Sequence, residues 1–201
     1  MEIAKSISQK HRRHYLAEII LVTVTIFWGA TFPLVKDAIK EIPVMAFLWI
    51  RFALAAAILF AWAGPKEIWR LGQSGWMRGM GLGVLLFGSY AFQTFGLALT
   101  SSANAAFVTG LNVVWVPLLA GPILKKPALP GSRLGVVCAL VGLFMLTYQA
   151  PWRFNPGDAL VLVCSLFVAF HILGLDVWTH GHDGRSLAFV QIGTMAVLSL
   201  A

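Results

Sequence analysis

Seven long apolar segments follow one another along this chain, and they constrain its fold more than any other feature. They lie at residues 16–36, 44–63, 76–98, 104–124, 132–149, 158–178 and 186–201. A helix needs roughly 20 apolar residues to cross the hydrocarbon core of a bilayer, and each of the first six segments is about that long. The seventh stops at Ala201 after 16 residues. The pattern predicts an all-α, polytopic transmembrane helix bundle in a chain that is incomplete.

The composition agrees with a membrane protein. Hydrophobic residues make up 59% of the chain and charged residues only 11%. A water-soluble domain carries about 25% charged residues, so a soluble fold is excluded. The net charge of +7 would suggest a nucleic-acid partner if the basic residues formed one patch.

The basic residues instead alternate from one connection to the next. Most of the Lys and Arg residues precede the first segment or lie around the second, fourth and sixth connections. They are Lys5, Lys10, Arg12, Arg13, Lys66, Arg70, Arg78, Lys125, Lys126, Arg133 and Arg185. The opposite connections hold Lys36, Lys40 and Arg153. Because Lys and Arg are enriched in cytoplasmic loops, we expect residues 1–15 to form a basic cytoplasmic N-terminus. No nucleic-acid partner is expected.

The side chains that could form a catalytic site do not lie on one face of a helix. His171 and Asp176 are five residues apart, about 140° around a helix, and the sequence has no HExxH, GxSxG or phosphate-loop motif. Cys138 and Cys164 lie in separate segments without CxxC spacing, which favours packing roles over a disulfide or a metal site. We therefore expect neither enzymatic activity, nor a metal, nor a bound cofactor.

A weak internal repeat is present. A shift of 140 residues aligns Phe27 with Phe167, Lys36 with Asp176, and Arg51 with Gln191. The shift spans five helices, an odd number, so the second copy would enter the membrane upside down. Inverted repeats are a recurring transporter architecture, with the substrate site at the repeat interface near the midplane. We expect a first repeat at 16–149 and the truncated start of a second repeat at 157–201.

Two pairs of glycines have the GxxxG spacing that lets membrane helices approach closely. Gly79 and Gly83 lie in the third segment, and Gly131 and Gly135 lie at the start of the fifth. We interpret both pairs as packing sites within one bundle. A face for a second copy is the alternative, so a homodimer stays open.

Several stretches, in order, resemble the EamA family of the drug/metabolite transporter superfamily. Residues 27–36, which read FWGATFPLVK, resemble its first-helix motif, in which an aromatic-Trp-Gly run precedes a Lys. Residues 51–56 resemble its second-helix Arg motif, and 96–107 its crossover from the third helix to the fourth. Residues 135–146 match its glycine-punctuated fifth helix, and 157–158 its entry into the second repeat.

The resemblance implies a ten-helix carrier of two inverted five-helix repeats, with both termini cytoplasmic, in a bacterial inner membrane. Such a carrier would move a small organic metabolite, such as an amino acid, by alternating access. Its partners would be membrane lipid and the cargo. Two features depart from the family pattern. Residues 124–127 read LKKP, where the family usually has an acidic residue. The segments that would correspond to helices eight to ten of such a carrier do not occur in this sequence. A non-transporting membrane subunit or a decayed fragment of a carrier is therefore the alternative.

Two cations are candidate substrate-binding residues. Arg51 lies seven residues into its segment, about 10 Å along a helix. A charge at that depth usually faces a bundle interior or a wet cavity, although snorkelling to the outer surface is the alternative. Lys36 lies at the outer end of the first segment, where the same alternative applies. Both cations would suit a carboxylate on the cargo.

Five further residues complete the candidate substrate site. Trp28 lies too deep for the interfacial aromatic belt. It is interpreted as stacking on a substrate, and a lipid-facing or packing role is the alternative. Gln93, Asn104 and Asn112 are polar groups within or at the ends of the third and fourth segments, and Asn104 has helix capping as its alternative. His171 is near the middle of the sixth segment, where a proton relay competes with hydrogen-bonded packing.

Overall fold

The computed structural model describes residues 2–125, 130–147 and 155–200, and this part of the chain is helical with short connections and no strand. The helices are α1 (Glu2–Glu41), α2 (Val44–Ala63), α3 (Pro65–Arg70), α4 (Gly72–Leu99), α5 (Ser102–Gly110), α6 (Asn112–Leu124), α7 (Pro130–Thr147), α8 (Pro156–Trp178) and α9 (Gly184–Leu198). The predicted all-α architecture is confirmed.

Several of these stretches are long and apolar enough to cross a membrane. They are Glu18–Glu41, Val44–Ala63, Gly72–Leu99, Ser102–Leu124 and Pro156–Trp178, while α9 is apolar but shorter. Large apolar side chains cover their outer faces; Phe27, for example, is 71% exposed. Contiguous apolar surface of this kind marks a contact with lipid or with other helices. The predicted polytopic helix bundle is therefore confirmed.

Helix ends follow local sequence signals. The predicted segment 44–63 coincides with α2, which lies between Pro43 and Gly64. Pro43 disfavours helical backbone at the residue before it, and α1 accordingly ends at Glu41. Gly64 has φ +81°, a conformation that glycine adopts without the usual steric cost. At its other end α1 is longer than predicted and begins at Glu2.

The fourth predicted segment differs from expectation because it is divided at Leu111 into α5 and α6. The N–H of Leu111 donates to the carbonyl of Val108 (3.2 Å), and the N–H of Val114 donates to the carbonyl of Leu111 (2.9 Å). These bonds reach back three residues, which is the tighter 3₁₀ pattern. Pro117, inside α6, also lacks the N–H that would bond to the carbonyl four residues earlier.

Helix α4 is the centre of the bundle and packs against both α8 and α9. Its glycines make this possible. A Cβ added at Gly83 would lie 2.8 Å from the carbonyl oxygen of Gln191, and one at Gly96 would lie 2.7 Å from that of Gly157. The Gly79–Gly83 pair therefore packs inside the bundle, as expected. For the other predicted pair, a Cβ added at Gly135 meets no described atom within 4 Å.

The bundle has two ends, which we call the Thr100 end and the Gly181 end. The α1–α2 and α4–α5 connections and the start of α8 lie at the Thr100 end, and the α8–α9 connection and helix α3 lie at the Gly181 end. An apolar cluster beneath the Thr100 end joins α1, α4, α5 and α8 through Phe32, Leu97, Ala105, Val108 and Val161. A second cluster, Leu48, Phe52, Met195 and Ala196, joins α2 to α9.

Replacing Gly83 with alanine should destabilise the bundle. The new Cβ would collide with backbone of α9, so the helices must separate, at a cost of about 1–3 kcal/mol. Gly121→Ala is the matched control, because a Cβ there meets nothing within 4 Å among the described residues and alanine favours helix. Thermal unfolding of both variants in detergent measures the difference. Equal melting temperatures would contradict the close approach of α4 to α9.

Candidate functional site

Arg51 lies half-buried on α2 with its guanidinium against α4. Its Cζ atom is 5.4 Å from the ring centroid of Tyr90 and 5.6 Å from that of Phe52. These two rings contact each other edge-on at 5.0 Å. No carboxylate within the described ranges forms an ion pair with Arg51. Aromatic faces therefore supply the contacts of this cation, through cation–π attraction.

A second polar group surrounds Thr109, next to the α5–α6 junction. The side-chain amide of Gln93 on α4 donates to the Thr109 hydroxyl (3.2 Å), and the amide of Asn112 donates to the Thr109 carbonyl (3.0 Å). Thr109 is fully buried, and its hydroxyl also interacts with the Cys164 thiol on α8. Two predicted site residues, Gln93 and Asn112, thus converge on Thr109.

His171 and Gln191 form a third group, between α8 and α9. The Nε2 atom of His171 lies 2.9 Å from Oε1 of Gln191, which is buried. Gln191 is the residue that the predicted internal repeat aligns with Arg51. Both residues stand at the same position in their helices, seven residues after the first.

The fourth group lies at the Thr100 end. The Lys36 ammonium donates to the Thr100 carbonyl, and the Thr100 hydroxyl donates to Oδ1 of Asp158 at 2.5 Å. Asn155 and Asp158 form a capping box at the start of α8, in which each side chain accepts from the other's backbone N–H. Lys36 therefore binds the α4–α5 connection in this structure.

Two predicted site residues do not join these groups. The Trp28 ring is 36% exposed and lies 6.0 Å from Phe32 of its own helix. The backbone N–H of Asn104 donates to the Ser101 side chain (3.0 Å), and Ser101 is the N-cap of α5. Ser101 thus supplies the capping side chain, and Asn104 contributes only its backbone N–H to the cap.

Several site residues were missed by the sequence analysis: Tyr90, Thr100, Asn155, Asp158, Ser165 and Gln191. Some had a readable signal. Asn155 is followed by a proline and then by Asp158 three residues on, which is the pattern of a capping box with proline in the first helical turn. Gln191 was the repeat partner of Arg51. Ser165 accepts a hydrogen bond from the Trp115 indole (3.0 Å), and no local pattern indicates that contact.

Two cavities lie toward the Gly181 end. One, of about 320 Å³, is largely apolar and is lined by parts of α4, α6 and α8, including Leu85, Leu124 and Trp178. The other, of about 270 Å³, is lined by charged groups that include Glu67, Arg70 and Asp183. Hydrogen bonds from the side chain and backbone of Ser186 lower the pKa of Asp183, which caps α9.

No group of three or more His, Cys, Asp or Glu residues in the described part of the chain is arranged to hold a metal ion. The polar side chains that converge inside the bundle include amides, hydroxyls, the His171 imidazole and the Arg51 guanidinium. Such groups recognise a ligand through hydrogen bonds and charge.

The pairing of His171 with Gln191 should appear as an energetic coupling. His171→Leu or Gln191→Leu each leaves a polar partner buried without its hydrogen bond, at a cost of about 1–3 kcal/mol. The double variant should cost less than the sum, with a coupling of about 0.5–3 kcal/mol. Thr194→Val on α9 is the control, because its hydroxyl bonds within its own helix. Denaturant titration in detergent measures the free energy of unfolding of these four variants and of the unmodified protein. Strictly additive costs would contradict the pairing.

Comparison with known proteins gives a consistent result. Residues 15–148 match the EamA-like transporter family. An uncharacterized transporter of Archaeoglobus fulgidus is 31% identical over 185 residues, covering 91% of this chain and 56% of that protein. The uncharacterized transporter YyaM of Bacillus subtilis is 32% identical over 144 residues, covering 68% of this chain and 46% of that protein. No solved structure matches the chain.

The chain thus spans about half the length of these curated relatives. The family match covers the first five predicted segments, and the relative from Archaeoglobus fulgidus aligns with most of the chain. The apolar helices described above fit the same class. This chain is an integral membrane protein and belongs to the EamA-like transporter family.

Proposed function

We propose that these helices form part of a secondary transporter that moves a small organic metabolite, such as an amino acid or a related compound, across a bacterial inner membrane. Arg51 carries the proposal. A charge inside a membrane bundle is costly and marks a substrate or ion pathway by default. Its guanidinium contacts two aromatic rings, and no described carboxylate neutralises it. An anionic group of the cargo is the natural counter-charge.

The geometry of Arg51 suits a carboxylate. A guanidinium is planar and carries its N–H donors around its edge, so an aromatic ring on its face leaves the edge available for a bidentate pair. Tyr90 and Phe52 present their ring faces to the Arg51 guanidinium at 5.4 and 5.6 Å, and an edge left free by these rings would bind the carboxylate. The Gln93–Thr109 pair, also on the α4 side of the bundle, would supply neutral donors and acceptors for the rest of the cargo.

Alternating access between two inverted repeats is the proposed mechanism. It is supported by the packing of α4, from the predicted first repeat, against α8 and α9, from the predicted second. The matched positions of Arg51 and Gln191 also support it. The interruption between α5 and α6 adds a further argument, because discontinuous membrane helices commonly form transporter binding sites.

The orientation rests on the distribution of basic residues. Lys66, Arg70, Lys125 and Arg185 lie in or beside connections at the Gly181 end. The positive-inside tendency supports a cytoplasmic location for that end and for the N-terminus. The Thr100 end would face outward.

Arg51→Ala and Arg51→Lys should each lower transport of a carboxylate-bearing cargo while leaving membrane insertion intact. Loss of one charge-assisted, bidentate contact should reduce kcat/KM by about 10- to 100-fold. The measurement is uptake of a panel of radiolabelled amino acids, and of amines without a carboxylate, into proteoliposomes. The variants are made in the complete reading frame that contains these residues, and the DNA after the Ala201 codon defines that frame.

Lys40→Ala is the control, because Lys40 is exposed and pairs with Asp37 outside the candidate site. Transport by both Arg51 variants at the wild-type rate would remove Arg51 from the site. Absence of saturable uptake for every panel member would contradict the transporter proposal. That result would favour the second candidate, a membrane subunit that does not transport.

A further inference from the structure

The geometry points to a latch formed by Lys36, Thr100 and Asp158, which closes the Thr100 end of the bundle by tying the predicted first repeat to the predicted second. Its role in a transport cycle rests on the proposed function. The latch itself is a property of the bundle and can be tested without any cargo.

Thr100 is the middle of the latch and is held from both sides by charged groups. Its carbonyl accepts from the Lys36 ammonium on α1, and its hydroxyl donates to the Asp158 carboxylate at the start of α8 (2.5 Å). Hydrogen bonds to ionised groups are roughly twice as strong as those between neutral groups. A cation and an anion on different helices are thereby joined through one residue of the α4–α5 connection.

Two of the three latch residues are buried, and Lys36 is half-buried. Thr100 is 3% exposed and Asp158 is 2% exposed. The second oxygen of Asp158 accepts from the backbone N–H of Asn155 (3.2 Å), and the Asn155 amide donates to the Thr100 hydroxyl (3.2 Å). A buried carboxylate that loses such a partner must find water. Breaking the latch therefore requires the end of the bundle to open to solvent.

An apolar seal lies directly beneath the latch. Phe32, Leu97, Ala105, Val108 and Val161 close the space between α1, α4, α5 and α8. The backbones of α4 and α8 also touch here, since a Cβ added at Gly157 would lie 2.6 Å from the Gly96 carbonyl oxygen. The two cavities described above lie toward the other end. Within the described residues, apolar packing thus closes the Thr100 end between these four helices, as an alternating-access carrier requires of one end in each of its states.

Helix capping alone does not explain these contacts. The capping box accounts for Asn155 and for one oxygen of Asp158. It needs neither the Lys36 contact nor the bond from Thr100 to the other Asp158 oxygen. Thr100→Val removes that bond and keeps both halves of the capping box, so this variant separates a latch from a cap.

The test uses Cys164 as a native reporter below the latch. Cys164 is buried and lies six residues after Asp158 on α8. In the complete chain with Cys138→Ala, a membrane-impermeant thiosulfonate is applied to right-side-out and to inside-out vesicles. Thr100→Val and Lys36→Met should each speed Cys164 modification by about tenfold, the effect of losing one charge-assisted bond. The increase should occur from the face that bears the Thr100 end and not from the other.

Lys40→Met is the matched control, since Lys40 is one turn further along α1 and pairs with Asp37 instead. Wild-type labelling rates in both latch variants, with normal insertion and a single size-exclusion peak, would overturn the latch. So would an equal increase from both faces or in the Lys40 variant, because that result means general loosening. If Thr100→Val does not insert, Lys36→Met decides the matter by the same readout.

A cross-link gives the second measurement. In a background with Cys138→Ala and Cys164→Ala, the pair Thr100→Cys and Asp158→Cys should form a disulfide on oxidation. That disulfide should stop transport, and reduction should restore it. Transport that continues with the disulfide formed would overturn the latch. Failure of the unmodified protein to transport would count against the proposed function alone, and the labelling experiment would still decide the latch.

Discussion

The close approach of α4 to α8 and α9 is the constraint on which the rest of this structure depends. Lipid tails are as apolar as leucine, so membrane helices gain little from hiding apolar side chains from one another and rely on close packing. Glycines on α4 allow backbone-level contact, as at Gly83 against Gln191 and at Gly96 against Gly157. Without that approach, the side chains of α4 would not reach their partners on neighbouring helices.

That packing also places the polar groups. Tyr90 and Gln93 lie three residues apart on α4; the first contacts Arg51 of α2, and the second contacts Thr109 of α5. Thr100, at the C-terminal end of α4, reaches Asp158. One helix therefore arranges a cation with aromatic contacts, a buried amide–hydroxyl pair and the closed end of the bundle. Each of these polar groups would raise the free energy of the protein in lipid unless a neighbouring helix or a ligand supplied its hydrogen-bond or charge partner.

Local features could be predicted from the sequence, and contacts between helices could not. The ends of α2 follow from Pro43 and Gly64, and the depth of Arg51 follows from its distance to the helix start. The division at Leu111 was missed because Gly110 and Asn112 beside it lie inside a segment that is otherwise apolar and long enough to be assigned as one membrane helix. Tyr90 was missed because its contact with Arg51 depends on how α2 and α4 are rotated about their axes. The Thr100–Asp158 bond joins residues 58 apart, and only tertiary packing brings them together.

The most direct test is an oxygen-accessibility scan of single nitroxide labels along α4, in bilayers and in a background without native cysteines. Packing of the glycine face against α8 and α9 predicts a period of about 3.6 residues. Oxygen collisions should be most frequent at the exposed positions Met77, Met80, Val84 and Phe95, and least frequent at the buried positions Leu82, Ser89 and Leu97. Maxima at Gly79 and Gly83, or no periodicity at all, would mean that α4 does not pack through its glycines, and would contradict the central claim.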